Sequence, residues 1–375
     1  MAGTASRKRN FFRSLFFVLA ILGPGFVTAS AGNDVGGIAT YSIAGAKFGY
    51  SLLWVLLPLA VALIVVQEMA TRMGTVTGKG LASLIRENFG VRISFFAMAG
   101  LFFVNLAITA SEFAGIATAS EIFHISRYVA VPLSVLLVFF FILRFNNKIV
   151  ERVFVGFSLI YLSYIVSAVL AHPNWGDVAH GTFVPVLDFK NSAYLVTIVG
   201  LIGTTISPYM QFYLQSAVVE KGARVRQLGL ARIDVISGSI LAIALAGFMI
   251  IANAATIYIH GAHGDLSQAA DFAKALEPLA GPVAATIFAL GILNAGLFTA
   301  TVLPLSTSYV ICEALGFEAA VDRRFKEAPV FFTLFGLGLF AGAALVLIPG
   351  LPLLKFIFYA QVVQGILLPP ELVLM

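Results

Sequence analysis

Long apolar runs separated by short polar segments dominate the chain. Ten of them approach or exceed the roughly 20 apolar residues a helix needs to cross a hydrocarbon core: about 14–43, 48–73, 95–123, 129–143, 150–171, 192–219, 231–259, 280–311, 330–350 and 352–375. Runs such as VPLSVLLVFFFIL are apolar without alternation. That favours helices over barrel strands, because a helix satisfies its own backbone hydrogen bonds in lipid. The pattern predicts an all-α, polytopic membrane protein with one transmembrane domain over 1–375. The first stretch also has the basic leader and small residues (Ala29-Ser30-Ala31) of a cleaved signal peptide. It is long for a signal core, however, and runs straight into a polar break.

Spans 1 and 6 are interrupted at membrane depth, by ASAGNDVGGIAT (29–40) and GLIGTTISPYMQF (200–212). They stand five spans apart. Because five is odd, structural copies made of spans 1–5 and 6–10 must lie upside down relative to each other. The expected organisation is therefore an inverted five-plus-five helix repeat, about 14–171 and about 192–375, with helices 1 and 6 broken. Paired broken helices of this kind bring unwound carbonyls and half-helix ends to a binding site near the midplane. The chain closes on LLPPELVLM without a polar tail, as expected of a C-terminal truncation.

Composition sharpens this picture. Hydrophobic residues make up 60% of the chain, charged residues only 11%, and mean hydropathy is +0.98, well outside the range of an ordinary soluble domain. With the N-terminus cytoplasmic, 18 of the 23 Lys and Arg residues fall on the inner side; Lys47, Arg127, Lys190, Lys274 and Lys355 do not. This is the positive-inside asymmetry. The net charge of +5 thus reflects topology and calls for no nucleic-acid partner. The expected location is the cell (inner) membrane. The lone Cys312 allows no intramolecular disulfide or thiolate cluster, and all five histidines (His124, His172, His180, His260, His263) lie in outer loops or at outer helix ends.

Asp34 in span 1 and Glu112 in span 3 are the acids placed away from span ends. Carboxylates are costly there, so each is a functional candidate. Asp34 lies among Gly32, Gly36 and Gly37, where an opened backbone exposes carbonyls beside the carboxylate. Such a hard, oxygen-lined site suits Mg²⁺ or Mn²⁺. The bland alternative is a helix cap bound only to backbone amides. For Glu112 it is a hydrogen bond to a neighbouring hydroxyl or backbone group, which makes Glu112 a supporting residue. In span 6, Thr204, Thr205 and Ser207 offer hydroxyls, and Pro208 removes a helix N–H and so frees carbonyls near Thr204. Gln361 and Gln364 in span 10 could add amide oxygens.

Several passages resemble the natural-resistance-associated macrophage protein (NRAMP) family of divalent metal transporters: GPGFVTASAGNDVGGIAT, FGYSLLWVLL, QEMATRMGTVTGKGLASL and GTTISPY. The resemblance covers nearly the whole chain and implies the leucine-transporter type fold. Where the family has Asp-Pro-Gly-Asn, this chain has Asp34, Val35, Gly36 and Gly37. Where the family has Ala-x-x-Met-Pro-His, it has Thr204 through Tyr209, with Ser207 at the methionine position. The resemblance thus marks Asp34, Gly37, Thr204 and Ser207 as the metal site. Replacing a thioether by a hydroxyl relaxes the preference for softer metals. This pattern is similar to that of the NRAMP-related magnesium transporter branch. The family's acid pair falls on Thr109 and Glu112, its histidine on Tyr209, and its span 9 basic residues have no counterpart in FFTLFGLGLFAGAALVL.

The expected function is alternating-access movement of Mg²⁺ or Mn²⁺ as transported substrate, with no permanently bound cofactor and without obligatory proton coupling. A proton-coupled Mn²⁺/Fe²⁺ symporter is the main alternative. A sodium-coupled amino acid carrier of the same fold ranks lower, since Asp34 would repel a substrate carboxylate. No nucleophile-and-base constellation suggests an enzyme.

Overall fold

A computed structural model describes residues 32–144, 158–222, 225–261, 272–273, 276–317 and 325–375. The described residues are helical and contain no strand. The helices used below are α1 (Val35–Phe48), α2 (Leu56–Thr77), α3 (Leu81–Ile122), α4 (Arg127–Arg144), α5 (Leu162–Leu170), α6 (Trp175–Phe183), α7 (Ser192–Thr205), α8 (Pro208–Glu220), α9 (Leu228–Asn253), α10 (Ala284–Leu315), α11 (Pro329–Val346) and α12 (Leu353–Leu374). Among the described residues, seven helical stretches are long and apolar enough to span a bilayer. The first half of predicted span 1, and most of the 260–279 outer loop, lie outside the described residues. The 172–191 segment, between the predicted spans 150–171 and 192–219, contains α6, capped by the Asn174 side chain on the Gly176 N–H.

Each predicted break has a local cause. Asp34 is the N-cap of α1: its backbone is extended and its Oδ1 accepts the Gly37 N–H at 2.6 Å, the preferred use of Asp at a helix start. Span 6 divides into α7 and α8 because Pro208, at the first turn of α8, holds Ser207 extended (φ −68°, ψ 130°). A third irregularity was not predicted. Gly90 adopts φ 82° inside α3 and separates a short segment, 81–89, from the membrane-crossing part, 91–122.

Packing sorts the helices into two groups. α1 and α2 pack with α7, α8 and α9, while α3 packs with α4, α10 and α11; α12 lies against both α7 and α3. Large apolar side chains such as Phe96, Phe103, Leu230 and Ile366 face outward, as a bilayer requires. Polar side chains gather inside, with Asp34, Glu112, Thr204, Gln361 and Gln364 all buried. Apolar burial against lipid drives little helix association, so close packing of small residues must contribute. A Cβ on Gly203 would overlap the Gln361 carbonyl and the backbone of Gly365. That contact brings α7 and α12 nearly backbone to backbone.

Gly203→Val is therefore expected to destabilise the protein by roughly 1–3 kcal/mol through overpacking. Gly229→Ala, at a position where a Cβ meets nothing, should leave stability nearly unchanged. Thermal melting of the detergent-purified variants checks the pair.

Candidate metal site

The start of α1 brings two carboxylates onto neighbouring amides. Asp34 takes the Gly37 N–H, and Glu112, reaching from α3, takes the Val35 N–H at 3.2 Å through Oε2. Unpaired N–H groups at a helix N-terminus carry partial positive charge, so both carboxyl groups are favourably placed. Each acid keeps one oxygen, Asp34 Oδ2 and Glu112 Oε1, buried without a hydrogen-bond partner. The capping alternative for Asp34 thus holds for one oxygen and leaves the other unsatisfied. Glu112 makes the backbone hydrogen bond that its bland reading predicted.

Gly37 creates the space beside these groups. A Cβ built on it would lie 2.6 Å from the Gly32 carbonyl oxygen and 3.3 Å from both Asp34 Oδ1 and Thr204 Oγ1. A carbonyl, a carboxylate and a hydroxyl from both broken segments therefore converge on the side-chain-free face of Gly37. Any larger residue there would displace at least one of them. The Gly37 N–H is already donated to Asp34, so this residue contributes room. Thr204 Oγ1 is buried without a hydrogen-bond partner. The two half-helices are tied directly by Tyr41 Oη and Thr205 Oγ1, 3.0 Å apart.

The other candidates divide. Ser207 is buried, and its hydroxyl donates to the Gly203 carbonyl at 3.0 Å, with the Thr204 carbonyl at 3.2 Å. The carbonyls that Pro208 was expected to leave free are thus covered, because the hydroxyl beside the break supplies the missing donor. Gln361 presses its amide against Gly36, and both its amide heteroatoms, like those of Gln364, are buried without partners. Thr109 bonds back to the Asn105 carbonyl at 2.8 Å, and its methyl lies against Gly342 of α11. Tyr209 is fully buried in an apolar cluster with Val104, Ile108 and Phe298, and its carbonyl accepts from Ser306.

Sequence reasoning overlooked Asn33. It adjoins Asp34 in the break, is 2% exposed, and has both amide heteroatoms buried without partners. Its signal was available: a polar residue inside the same interruption. Also overlooked were Glu371 near the end of α12, with both carboxylate oxygens buried and unpartnered, and Glu313 of α10, which accepts from Ser216 at 2.6 Å. Both were passed over as lying near span ends, but neighbouring helices cover them. Among the described residues no three His, Cys, Asp or Glu side chains cluster to hold a metal. The convergence at Gly37 is of mixed oxygens around a single acid, with a second acid alongside.

Comparison with known proteins agrees with this architecture. The family model described as natural resistance-associated macrophage protein-like (Nramp) matches residues 25–375. A manganese transporter of Eremococcus coleocola, solved in complex with an aromatic bis-isothiourea substituted compound, superposes with a TM-score of 0.78 at 23% identity, over 97% of this chain and 79% of that one. A mutant of the same transporter gives 0.77 at 22% identity, over 95% and 78%. Mhp1, a nucleobase-cation-symport-1 family transporter in a closed conformation with bromovinylhydantoin bound, gives 0.54 at 13% identity, over 90% and 74%. At these identities the likeness is one of fold.

Capping by Asp34 and the cation binding expected of it can be separated by substitution. Asn also caps helices well, so Asp34→Asn should melt close to wild type, whereas Asp34→Ala should lose about 1 kcal/mol. Both should lose Mn²⁺-dependent thermal stabilisation. Melting curves with and without Mn²⁺ test this, and retained stabilisation in Asp34→Asn would overturn the assignment.

Proposed function

Given that the chain belongs to the Nramp family, we propose that it carries Mg²⁺ or Mn²⁺ across the membrane, as a partly hydrated ion and without obligatory proton coupling. A multi-pass membrane protein of this family is a divalent metal transporter and not an enzyme. The observation that carries the finer reading is the convergence of the Gly32 carbonyl, the Asp34 carboxylate and the Thr204 hydroxyl on Gly37. All three donors are hard oxygens, and Mg²⁺ and Mn²⁺ prefer such ligands. Three protein donors leave coordination positions for water, which Mg²⁺ surrenders reluctantly.

In this reading Asp34 supplies the charge, and its unpartnered Oδ2 gains a partner when the ion arrives. The Ser207 hydroxyl donates to the helix carbonyls, so its lone pairs remain for the ion or its waters. The Gln361 and Gln364 amides, with Asn33, are available to hydrogen-bond that hydration shell. Glu112 holds the end of α1 in place from α3, across the boundary between the two helix groups. Rocking of one group against the other would open the site to each side in turn. The N-terminus faces the cytoplasm in this arrangement, with repeats over about 14–171 and 192–375.

One observation favours the proton-coupled Mn²⁺/Fe²⁺ alternative: Glu112 is a second carboxyl beside Asp34 with an oxygen to spare. Against it stands the absence of histidine and basic residues among the groups described around the site. A sodium-coupled amino acid carrier is disfavoured because the Val35 and Gly37 amides already bind carboxylates, which leaves fewer helix N-terminal donors for a substrate carboxylate.

Uptake into proteoliposomes with an internal pH dye decides the matter. Entry of both Mn²⁺ and Mg²⁺, reduced at least tenfold in Asp34→Ala and without internal acidification, is the expected result; the tenfold loss corresponds to about 1.4 kcal/mol. Acidification that tracks Mn²⁺ entry, with Mg²⁺ excluded, would return the protein to the proton-coupled reading.

A further inference from the structure

On the bilayer-facing side of the bundle, a groove of about 430 Å³ runs between α3, α10 and α11. Its walls include Phe95, Met98, Ala99 and Phe103 from α3, Leu315 from α10 and Leu334 from α11. Phe95 and Phe103 are 63% and 68% exposed, so the groove opens towards lipid. Arg86 is the one charged residue of its lining. The left-handed Gly90 sets Arg86 on the short segment before the apolar, membrane-crossing part of α3. One guanidinium nitrogen, Nη1, donates to the Ala314 carbonyl at 2.8 Å, at the C-terminal end of α10. The remaining N–H groups of its fork are not used by a carboxylate: Glu87 is paired with Lys79 at 2.7 Å, and Arg86 forms no salt bridge among the described residues.

An apolar slot open to the bilayer, with an anchored guanidinium at one end that pairs with no carboxylate among the described residues, matches an amphiphile with an apolar chain and an anionic head. Basic residues between membrane helices bind anionic lipid head groups in this way, and arginine suits phosphate because its planar fork donates two parallel hydrogen bonds. We infer that this groove is a binding site for one anionic phospholipid, with an acyl chain along α3 between Ala99 and Leu334 and the phosphate on Arg86. The occupant would bridge α3, which carries Glu112, and α10, whose Gly296 packs on the Glu112 carbonyl. The inference does not depend on which ion is transported.

Native mass spectrometry of the full chain in detergent tests it, with palmitoyl-oleoyl phosphatidylglycerol or phosphatidylcholine added in turn. Wild type is expected to retain one phosphatidylglycerol about fivefold better than phosphatidylcholine, the advantage of a single basic contact. Arg86→Gln should reduce phosphatidylglycerol to the phosphatidylcholine level. Ala99→Trp, which fills the slot, should reduce both lipids, and Leu337→Trp does the same from the opposite wall if Ala99→Trp does not fold. Far-UV circular dichroism confirms that each variant used is helical. Equal retention of the two lipids by wild type, or undiminished phosphatidylglycerol in Arg86→Gln or in a filled groove, would overturn the proposal.

Discussion

The buried N-terminus of α1 constrains everything around it. A helix that starts inside a membrane leaves amide hydrogens with no water to accept them. Here Asp34 takes the Gly37 N–H and Glu112 takes the Val35 N–H. One acid is local and the other comes from α3, so satisfying one helix end also ties the two helix groups together. The same arrangement leaves two carboxyl oxygens buried without a partner. Buried carboxyl oxygens of that kind are costly unless they are compensated, and in the proposed function a divalent cation would compensate them. In that reading the requirements of folding and of ion binding meet on the same few atoms.

The oxygen donors can converge only because the backbone around them is bare. Gly36 admits the Gln361 amide, Gly37 leaves room for three oxygens, and Gly203 with Gly365 lets α12 approach α7. Each of these glycines sits at a contact that a methyl group would close. Packing of small residues thus does two things: it holds helices together where the hydrophobic effect is weak, and it lets oxygens from two helical segments approach one glycine. At Ser207 the same economy appears in another form. Pro208 removes a helix hydrogen bond, and the adjacent hydroxyl replaces it on the Gly203 and Thr204 carbonyls.

The outer surface follows the opposite rule. Valine, leucine, phenylalanine and isoleucine cover it, and the groove below Arg86 is one place where that apolar coat is incomplete. Its apolar walls fit an acyl chain and its one cation fits a phosphate, so the bilayer itself provides the complementary molecule.

Much of this was legible from the residues alone, because membrane insertion leaves a coarse and robust signature. Apolar run length marked the membrane-spanning helices, and helix-breaking residues in GNDVGG and TTISPY marked the helix start at Asp34 and the helix break at Ser207. Asp34 stood out because an acid at membrane depth is expensive wherever the chain folds. What the tertiary structure decided is which oxygens face one another and which are already occupied. No spacing in the chain says that Glu112 reaches Val35, that Ser207 turns back onto its own helix, or that Thr109 packs against Gly342. Glu313 and Glu371 were invisible as buried polar groups because burial near a helix end is conferred by other helices, whereas Asn33 was visible inside the interruption but its burial was not. Hydrogen-bond partners across 77 residues, as for Val35 and Glu112, are chosen by packing geometry, and linear sequence records the donors without recording who meets them.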